Sequence, residues 1–308
     1  MKSTTLVLAT TVVTAALALT ACGGSSSGSD PLAAPAGTPA ASDTIVVGSA
    51  NFPENVLLAE IYAGALTAKG VKVSTKLNIG SREAYVPGLK DGSIDLIPDY
   101  SGNLLAYFKS GATEVSSEDV FTALQTAVPA PLEVLTQSSA EDKDAVVVTK
   151  ATAAKYKLTS IGDLAPVGKN IVLGGPPEWK TRSTGVPGLK AKYGITFKSY
   201  KSLDAGGPLT ANALKSGQIQ AGDIFTTDPL IASEGWVALE DPKNLFAAQN
   251  VLPLINKTKA TATVTAALNA VSAKLTTPIL ADLVKQVQSD KKDPAAVAKT
   301  FLTANSLG

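Results

Sequence analysis

No histidine occurs in the 308-residue sequence, and Cys22 is the only cysteine. Histidine is the commonest general base and a common zinc ligand. Its absence excludes Ser-His-Asp and Cys-His nucleophilic sites and metal centres built on histidine. A single cysteine also excludes an internal disulfide. A carboxylate pair or a Ser–Lys pair would still be available to an enzyme, but no such arrangement is evident. The common catalytic routes are therefore closed, and we expect no metal or other cofactor.

The sequence also has almost no excess charge, because 27 Lys and Arg residues stand against 26 Asp and Glu residues. Nucleic-acid-binding domains carry basic patches, so this balance argues against nucleic acid as a partner. After the N-terminal segment no apolar run reaches the length that a bilayer requires, and no membrane-spanning helix is expected there.

Residues 1–21 have the pattern of a signal peptide. Lys2 supplies a positive charge, an apolar stretch follows, and the letters LTAC close it at Cys22. The small residues before Cys22 resemble the lipobox of bacterial lipoproteins, in which the cysteine is lipidated and becomes the mature N-terminus. The alternative is an ordinary secretory signal with an incidental cysteine. Residues 22–43 are rich in Gly, Ser, Pro and Ala and predict a flexible tether, so the folded part should begin near Thr44.

Strand-like and helical segments alternate through the rest of the chain. Residues 44–49 (TIVVGS) predict a strand, and residues 51–70 predict a helix that carries Leu57 and Ile61 on one apolar face. Asn51 is the expected N-cap of this helix, with Glu54 completing a capping box. The alternation predicts an α/β architecture.

The same order of elements recurs in the second half of the chain. Residues 89–100 (LKDGSIDLIPDY) and 214–225 (LKSGQIQAGDIF) share Leu, Lys, Gly and Ile at one offset, which aligns Tyr100 with Phe225. A common helix-to-strand turn would also explain these identities, but the shared element order favours two equivalent lobes. Ligands bind beyond the carboxyl ends of strands in such sheets, so we expect Tyr100 and Phe225 on opposing walls of a cleft.

The chain is expected to cross between the lobes twice. Residues 44–145 and 228–308 are assigned to the first lobe, and residues 146–227 to the second. The three helical segments of the C-terminal tail are expected to pack on the first lobe.

Four segments carry a resemblance to a known family: residues 45–70, residues 77–104, PPEWKTR (176–182) and FTTD (225–228). They resemble the osmoprotectant-binding proteins of ABC importers, which bind glycine betaine, choline or carnitine. The resemblance implies a two-lobed periplasmic-binding-protein fold of type II with a ligand cleft between the lobes. It also implies a lipid anchor at Cys22 on the extracytoplasmic face of the cell membrane, and delivery of a small-molecule solute to ABC permease subunits. The resemblance thus implies a receptor that is not an enzyme, and we expect it to act as a monomer.

The resemblance also implies roles for particular residues. Tyr100 matches a tyrosine of the aromatic cage around the ligand's trimethylammonium group, and Asn103 matches a polar position beside it. Arg182 matches the arginine that pairs with the ligand's carboxylate. Phe225 stands where a cage tyrosine is common, and its ring can still face a cation.

Departures from the family pattern leave the ligand open. Ala50 stands where members often have a lysine for the carboxylate, and residues 141–145 and 206–211 lack the aromatics expected there. Asp144 could supply a negative charge instead, and nearby rings could replace the missing ones: Phe52, Tyr85, Tyr107 and Trp179. A small polar or quaternary-ammonium solute is the expected ligand. The alternatives are an amino acid, an aromatic compound or a polyol bound by the same fold, or a lipid-anchored enzyme.

Two further residues have both a structural and a ligand-binding interpretation, because Asn51 and Ser81 each precede a predicted helix. Arg82 is expected to form a surface or interlobe ion pair instead. The candidate ligand-binding residues are Asn51, Phe52, Ser81, Tyr100, Asn103, Asp144, Arg182 and Phe225.

Overall fold

The computed structural model describes residues 43–308. The predicted signal peptide, the lipidation site at Cys22 and almost all of the predicted tether lie outside the described residues. The strands of the described part are β1 (Ile45–Ala50), β2 (Val73–Gly80), β3 (Leu96–Tyr100), β4 (Leu132–Val134), β5 (Asp144–Val148), β6 (Val172–Gly175), β7 (Ser199–Ser202), β8 (Ala221–Phe225), β9 (Val237–Ala238) and β10 (Val251–Asn256).

Eleven α-helices occur in the same part of the chain. They are α1 (Pro53–Ala68), α2 (Arg82–Asp91), α3 (Ser101–Phe108), α4 (Ser117–Ala127), α5 (Lys150–Tyr156), α6 (Val186–Tyr193), α7 (Pro208–Lys215), α8 (Pro229–Ser233), α9 (Ala262–Lys274), α10 (Thr277–Gln288) and α11 (Pro294–Ala304). Within residues 43–308, none of the helices combines the length and the apolar character that crossing a membrane would need.

The strands form two five-stranded sheets with one topology. The first has the order β2-β1-β3-β10-β4, and the second has the order β7-β6-β8-β5-β9. In each sheet three strands run parallel, and a fourth pairs antiparallel with the central strand: β10 with β3, and β5 with β8. These two antiparallel strands are the ones that follow the other sheet along the chain. The predicted α/β fold with two equivalent lobes and two crossings is therefore confirmed.

The common topology places Tyr100 and Phe225 at equivalent positions. Each is the last residue of a central strand, and each lies opposite a residue of the antiparallel neighbour: Tyr100 opposite Val251, and Phe225 opposite Asp144. The carboxyl ends of β3 and β8 are the edges at which ligands bind in sheets of this kind.

The first lobe is held together around α1. Leu57 and Ile61 are completely buried in one cluster with residues of β1, β10 and the three C-terminal helices, as expected for the tail. Each such side chain stabilises the fold by roughly 1.5–3 kcal/mol. Gly64 permits the close packing of α1 on α11, because a Cβ there would lie 2.5 Å from Cδ1 of Leu302.

The second lobe extends further along the chain than residue 227, the boundary expected from the sequence. β9 pairs with β5, and Trp236, Leu239 and Phe246 are buried against the second sheet and its helices. The returning segment thus completes the edge and the core of the second lobe before it crosses back as β10. The apolar side chains of this segment are buried in the second lobe, and they would not be buried there if the chain returned to the first lobe directly after residue 227.

Candidate functional site

A cavity of about 50 Å³ lies between the two sheets. At the ~10–15 Å³ that each water-sized group needs, it accommodates only a few such groups, which suits a small solute. All eight candidate residues from the sequence line it: Asn51, Phe52, Ser81, Tyr100, Asn103, Asp144, Arg182 and Phe225. The structure brings these residues together, and their contact with a ligand stays a prediction.

Three aromatic rings line one side of the cavity. Phe52 lies between the other two, with its ring centroid 6.0 Å from that of Tyr100 and 5.1 Å from that of Phe225. Tyr100 and Phe225 come from different lobes, and their expected positions on opposing walls of the cleft stay a prediction. Because Phe52 contacts both, the three connected rings are called the aromatic wall below.

The other rings that the sequence offered behave differently. Tyr85 lines the cavity, and its hydroxyl donates a 2.6 Å hydrogen bond to Oδ2 of Asp99. Trp179 is buried in the core of the second lobe, where it stacks on Phe246 with ring planes 7° apart. Tyr107 is 38% exposed and lies outside the cavity wall. Four aromatic side chains thus line the cavity: Phe52, Tyr85, Tyr100 and Phe225.

Asn51 does not cap α1 as the sequence predicted. The helix begins at Pro53, Phe52 occupies the N-cap position, and no side chain caps it. Proline fits the first helical position because its fixed φ suits the helix and it has no N–H to satisfy. Asn51 is free to line the cavity. Glu54, predicted to complete the capping box, turns into the interior instead.

Glu54 joins the two lobes through a buried hydrogen-bond network. Its Oε1 accepts from the Tyr100 hydroxyl at 2.7 Å, and its Oε2 accepts from the Thr227 hydroxyl at 2.6 Å. The backbone N–H of Thr227 donates in turn to Oδ1 of Asp142 at 3.0 Å. Burial raises the pKa of Glu54, and burial together with Glu54 raises that of Asp142 well above its usual value. One proton shared between the carboxyl groups of Glu54 and Asp142 is consistent with both raised pKa values.

A second carboxyl pair, Asp144 and Asp223, lines the cavity from the second sheet. In the β5–β8 pair, Asp144 lies opposite Phe225 and Asp223 lies opposite Val146. Alternate residues of a strand share a face, so both carboxyl groups lie on the same face as Phe225. Oδ2 of Asp144 accepts from Nδ2 of Asn103 across the cleft at 2.6 Å. Asp223 is completely buried, and neither of its oxygens has a hydrogen-bond partner.

The pKa of Asp223 is raised well above its usual value, first by burial and then by the charge of Asp144. Asp144 is close enough to share a proton with Asp223 but offers no donor while both are ionised. A cation placed between the two carboxyl groups would offset both burial and the charge of Asp144, and would lower the pKa of Asp223.

Both arginines of the cavity wall already hold a carboxylate. Arg82 is only 8% exposed and forms an ion pair with Asp99. The pair is buried and lies within the first lobe, so neither the surface nor the interlobe position expected for it is correct. Nε and Nη2 of Arg182 donate to Oε1 and Oε2 of Glu83 at 3.2 and 2.8 Å. Glu83 belongs to α2 of the first lobe, so this pair spans the cleft. Burial opposes ionisation of Glu83, but hydrogen bonds from Arg182 and Ser81 lower its pKa to about 2.

The balance of these groups leaves the cavity with surplus negative charge. Arg82 and Arg182 are neutralised by their partners, while four further acidic residues line the wall: Asp142, Asp144, Glu178 and Asp223. Even with one proton retained by Asp142 and Glu54 and another by Asp223, acidic residues of the wall remain without a cationic partner, and this surplus favours a ligand that carries positive charge.

Sequence reasoning did not identify Glu54, Asp142 or Asp223 as part of the site. A signal for Asp223 was available, because it precedes Phe225 by two residues and strand alternation places both side chains on one face. No local signal marks Glu54, whose partner Thr227 is 173 residues away along the chain.

Two lobes of one topology, two crossings and a small polar-aromatic cavity between the sheets define a two-lobed solute-binding protein. A family model described as the substrate-binding domain of ABC-type glycine betaine transport systems matches residues 43–304. The chain therefore belongs to this family of substrate-binding domains.

Individual relatives are distant. The glycine betaine-binding protein YehZ of Escherichia coli is 24% identical over 70% of this chain and 75% of its own length. The carnitine transport binding protein OpuCC of Listeria monocytogenes is 24% identical over 86% of this chain and 87% of its own. The ergothioneine transport permease/binding protein EgtU of Helicobacter pylori is 25% identical over 84% of this chain, which matches 47% of that longer protein.

Solved structures share the fold. A glycine betaine/carnitine/choline ABC transporter structure aligns with a TM-score of 0.67 at 22% identity, over 85% of this chain and 99% of that one. A choline-binding protein in complex with choline aligns with a TM-score of 0.64 at 15% identity, over 86% of this chain and 89% of that one.

Proposed function

We propose that this substrate-binding domain captures a small organic cation and delivers it to the permease of an ABC importer. The observation that supports the cation is the charge of the cavity wall, where both arginines are paired and four acidic side chains remain. The aromatic wall adds to it, because each ring that faces a desolvated cation contributes up to about 2 kcal/mol. Quaternary-ammonium solutes such as choline belong to this class, and choline is the ligand of one structure with this fold.

Capture is coupled to closure of the lobes. The contacts that cross the cleft include three side-chain hydrogen-bonded pairs: Glu83 with Arg182, Asn103 with Asp144, and Glu54 with Thr227. Two of them involve side chains of the cavity wall, so a ligand held there strengthens the closed arrangement. Hinge closure around a ligand is the usual motion of binding proteins with two lobes.

A zwitterion such as glycine betaine or carnitine is the second candidate, since relatives carry those names. The observation that favours it is the position of Arg182 in the cavity wall. A planar guanidinium binds a carboxylate through two parallel hydrogen bonds. To do so here, Arg182 would have to exchange Glu83 for the ligand.

We also propose that the mature chain is a lipoprotein anchored through Cys22. Support comes from the sequence, in which small residues precede Cys22 and a Gly-, Ser- and Pro-rich segment follows it. The tether would allow the two lobes to reach a permease in the same membrane. We also propose that the protein acts as a monomer.

Isothermal titration of the mature protein tests the captured class directly. Choline, glycine betaine, carnitine, proline and glycerol are titrated at one ionic strength, and proton NMR of each mixture follows the solute over time. We expect choline to bind more tightly than the zwitterions, proline and glycerol to bind weakly or not at all, and no solute to be converted. Preference for proline or glycerol would contradict the proposal, and conversion of any solute would indicate an enzyme.

A further inference from the structure

Asp223 is the acidic group of the cavity wall with both carboxylate oxygens buried and without a hydrogen-bond partner, whereas Arg82 lacks a partner only at Nε. Asp223 is completely buried at the cavity wall. Its acidic neighbours differ, because Glu54, Asp99, Asp142 and Asp144 each accept at least one hydrogen bond from a protein group. A buried carboxylate without donors is strongly disfavoured, since burial removes the water that would otherwise solvate it.

The protein's own cations are not available to complete Asp223. Among the cavity-lining residues the only cationic side chains are Arg82 and Arg182, and each is held by another carboxylate. Apart from a proton shared with Asp144, the donor must therefore come from the ligand. Asp144 lies beside Asp223 and has committed only Oδ2, so its Oδ1 remains to accept from the same ligand group. Two adjacent carboxylates with free oxygens suit a group that combines positive charge with several donors.

The aromatic side of the cavity leads to the same class of ligand. A quaternary nitrogen cannot donate a hydrogen bond and is best surrounded by several ring faces. Here Phe52 packs against Tyr100 at a centroid distance of 6.0 Å and against Phe225 at 5.1 Å, so each ring is partly covered by a neighbouring ring. A fully methylated nitrogen placed between this wall and Asp223 would leave both carboxylate oxygens without a donor.

Building on the proposed function, we infer that the ligand's charged nitrogen keeps at least one N–H and donates it to Asp223. Protonated primary, secondary or tertiary amines, amidinium groups and guanidinium groups have this chemistry, and a trimethylammonium group does not. The alkyl part of such a ligand packs on the aromatic wall, and its charged nitrogen lies at the Asp144–Asp223 pair. The structure thus assigns Asp223 the selection between protonated and fully methylated nitrogen.

A methylation series isolates this feature. Ethanolamine, N-methylethanolamine, N,N-dimethylethanolamine and choline share one skeleton and are all cations at pH 7, but only choline lacks an N–H. We titrate the four into the wild-type protein by calorimetry at one ionic strength. We expect dimethylethanolamine to bind at least about tenfold more tightly than choline, since choline leaves buried acceptors unsatisfied.

Asp223→Asn tests whether Asp223 is the source of the preference. The amide keeps the shape of the side chain but removes its charge, so dimethylethanolamine should lose at least about tenfold in affinity and its advantage over choline should disappear. Asp282→Asn removes the same charge from the exposed surface of α10 and should change neither affinity. Thermal melting of each variant establishes that it is folded. If Asp223→Asn does not fold, the methylation series in the wild-type protein still tests whether the ligand needs an N–H.

The outcomes separate the two proposals. Binding of choline as tightly as, or more tightly than, dimethylethanolamine would overturn the N–H requirement and leave a receptor for small cations in place. An advantage of dimethylethanolamine that survives in Asp223→Asn would overturn the assignment to Asp223. Failure of all four cations to bind, with glycine betaine binding normally, would overturn the cation proposal itself.

Discussion

Arg182 of the second lobe and Glu83 of the first lobe form a bidentate ion pair across the cleft, and the distance between Nη2 and Oε2 is 2.8 Å. The Glu83 side chain is 49% exposed, so solvent screens the attraction, and pairs of this kind contribute at most about 1 kcal/mol. That is enough to bias an open–closed equilibrium by about fivefold, but not enough to fix it. The pair therefore acts as a weak latch on the cleft.

The ion pair between Glu83 and Arg182 can be removed without changing the acidic residues that line the cavity. Glu83→Gln should shift the unliganded protein towards the open form and increase its radius of gyration in small-angle X-ray scattering. Lys215→Gln is the matched control, because it breaks the Lys215–Glu234 pair at the surface of the second lobe. Identical scattering from wild-type protein and Glu83→Gln would contradict the latch.

Arg182→Lys distinguishes ligand classes. Lysine keeps the charge but loses the planar pair of donors. Affinity for a cation without a carboxylate should change less than about fivefold, because only the latch weakens. Affinity for glycine betaine should fall further if Arg182 exchanges Glu83 for its carboxylate. Calorimetry of both solutes with both proteins provides the comparison, and equal losses would exclude direct pairing with a carboxylate.

Cys22→Ala tests the anchor. Lipidation supplies firm membrane binding only when several acyl chains are attached, so a variant that cannot be lipidated should leave the membrane. We expect wild-type protein to sediment with membranes from the native host or a host that processes lipoproteins, and Cys22→Ala to appear in the soluble extracytoplasmic fraction. Ser25→Ala, three residues further into the Gly- and Ser-rich segment, is the control. Continued sedimentation of Cys22→Ala would argue against lipidation at this residue.

Asp228 makes part of the stability depend on pH. Its Oδ1 accepts from the backbone N–H of Leu230 at the start of α8, and burial raises its pKa to about 6. In the unfolded chain the carboxyl group of Asp228 ionises near its usual pKa of about 4. Between pH 4 and 6 the folded state therefore binds more protons than the unfolded state, and the free energy of unfolding falls as the pH rises from about 4 to 6. Asn also caps helices well. Asp228→Asn should therefore gain stability relative to wild type across this window, approaching about 3 kcal/mol above pH 6.

Urea unfolding at several pH values between 4 and 7 measures this difference. Asp282→Asn on the surface of α10 is the control, because that side chain is exposed and should give a pH-independent offset. A parallel pH profile for Asp228→Asn and wild type would mean that Asp228 titrates in the same range whether the chain is folded or unfolded.

The fold was predictable because its signals are local. Strand and helix periodicity, together with the echo that aligns Tyr100 with Phe225, are properties of short windows and of one offset in the sequence. The end of the second lobe was not predictable to the same degree. Trp236 and Phe246 become part of that lobe through packing, which no local pattern in residues 228–246 expresses.

The site shows the same division. Residues at strand ends, such as Tyr100 and Phe225, were found because topology fixes where those ends lie. The role of Glu54 was missed, because a glutamate in the first turn of α1 fits two interpretations. It can complete a capping box, or it can accept buried hydrogen bonds. Only Thr227, which follows the end of β8 in the second lobe, decides between them.

Ligand binding should release protons. The raised pKa of Asp223 comes from burial and from Asp144, and a bound cation lowers it again. Affinity for a cation should therefore increase with pH until Asp223 is ionised in the empty cleft. Calorimetry at one pH in buffers of different ionisation enthalpy measures the number of protons released. Asp223→Asn should release fewer protons than wild type, and a count of zero in wild type would contradict this account.

Tyr100 separates the aromatic wall from the network behind it. Its ring is in contact with Phe52, and its hydroxyl donates to Glu54 at 2.7 Å. Tyr100→Phe keeps the ring but leaves Oε1 of Glu54 without that donor. We expect a loss of about 1–3 kcal/mol in unfolding free energy and only a small change in affinity.

Tyr100→Ala removes both functions, and affinity for a cation should fall by up to about 30-fold in the folded protein. Phe225→Ala should produce a similar loss of affinity, because Phe225 completes the same wall from the other lobe. Tyr107→Ala is the control, since Tyr107 lies outside the cavity. Melting and titration are measured on the same samples. Unchanged affinity in Tyr100→Ala, with only the melting temperature lowered, would mean that Tyr100 packs the end of β3 and does not contact the ligand. A loss of affinity in Tyr100→Phe as large as in Tyr100→Ala would place the hydroxyl network, and not the ring, at the origin of binding.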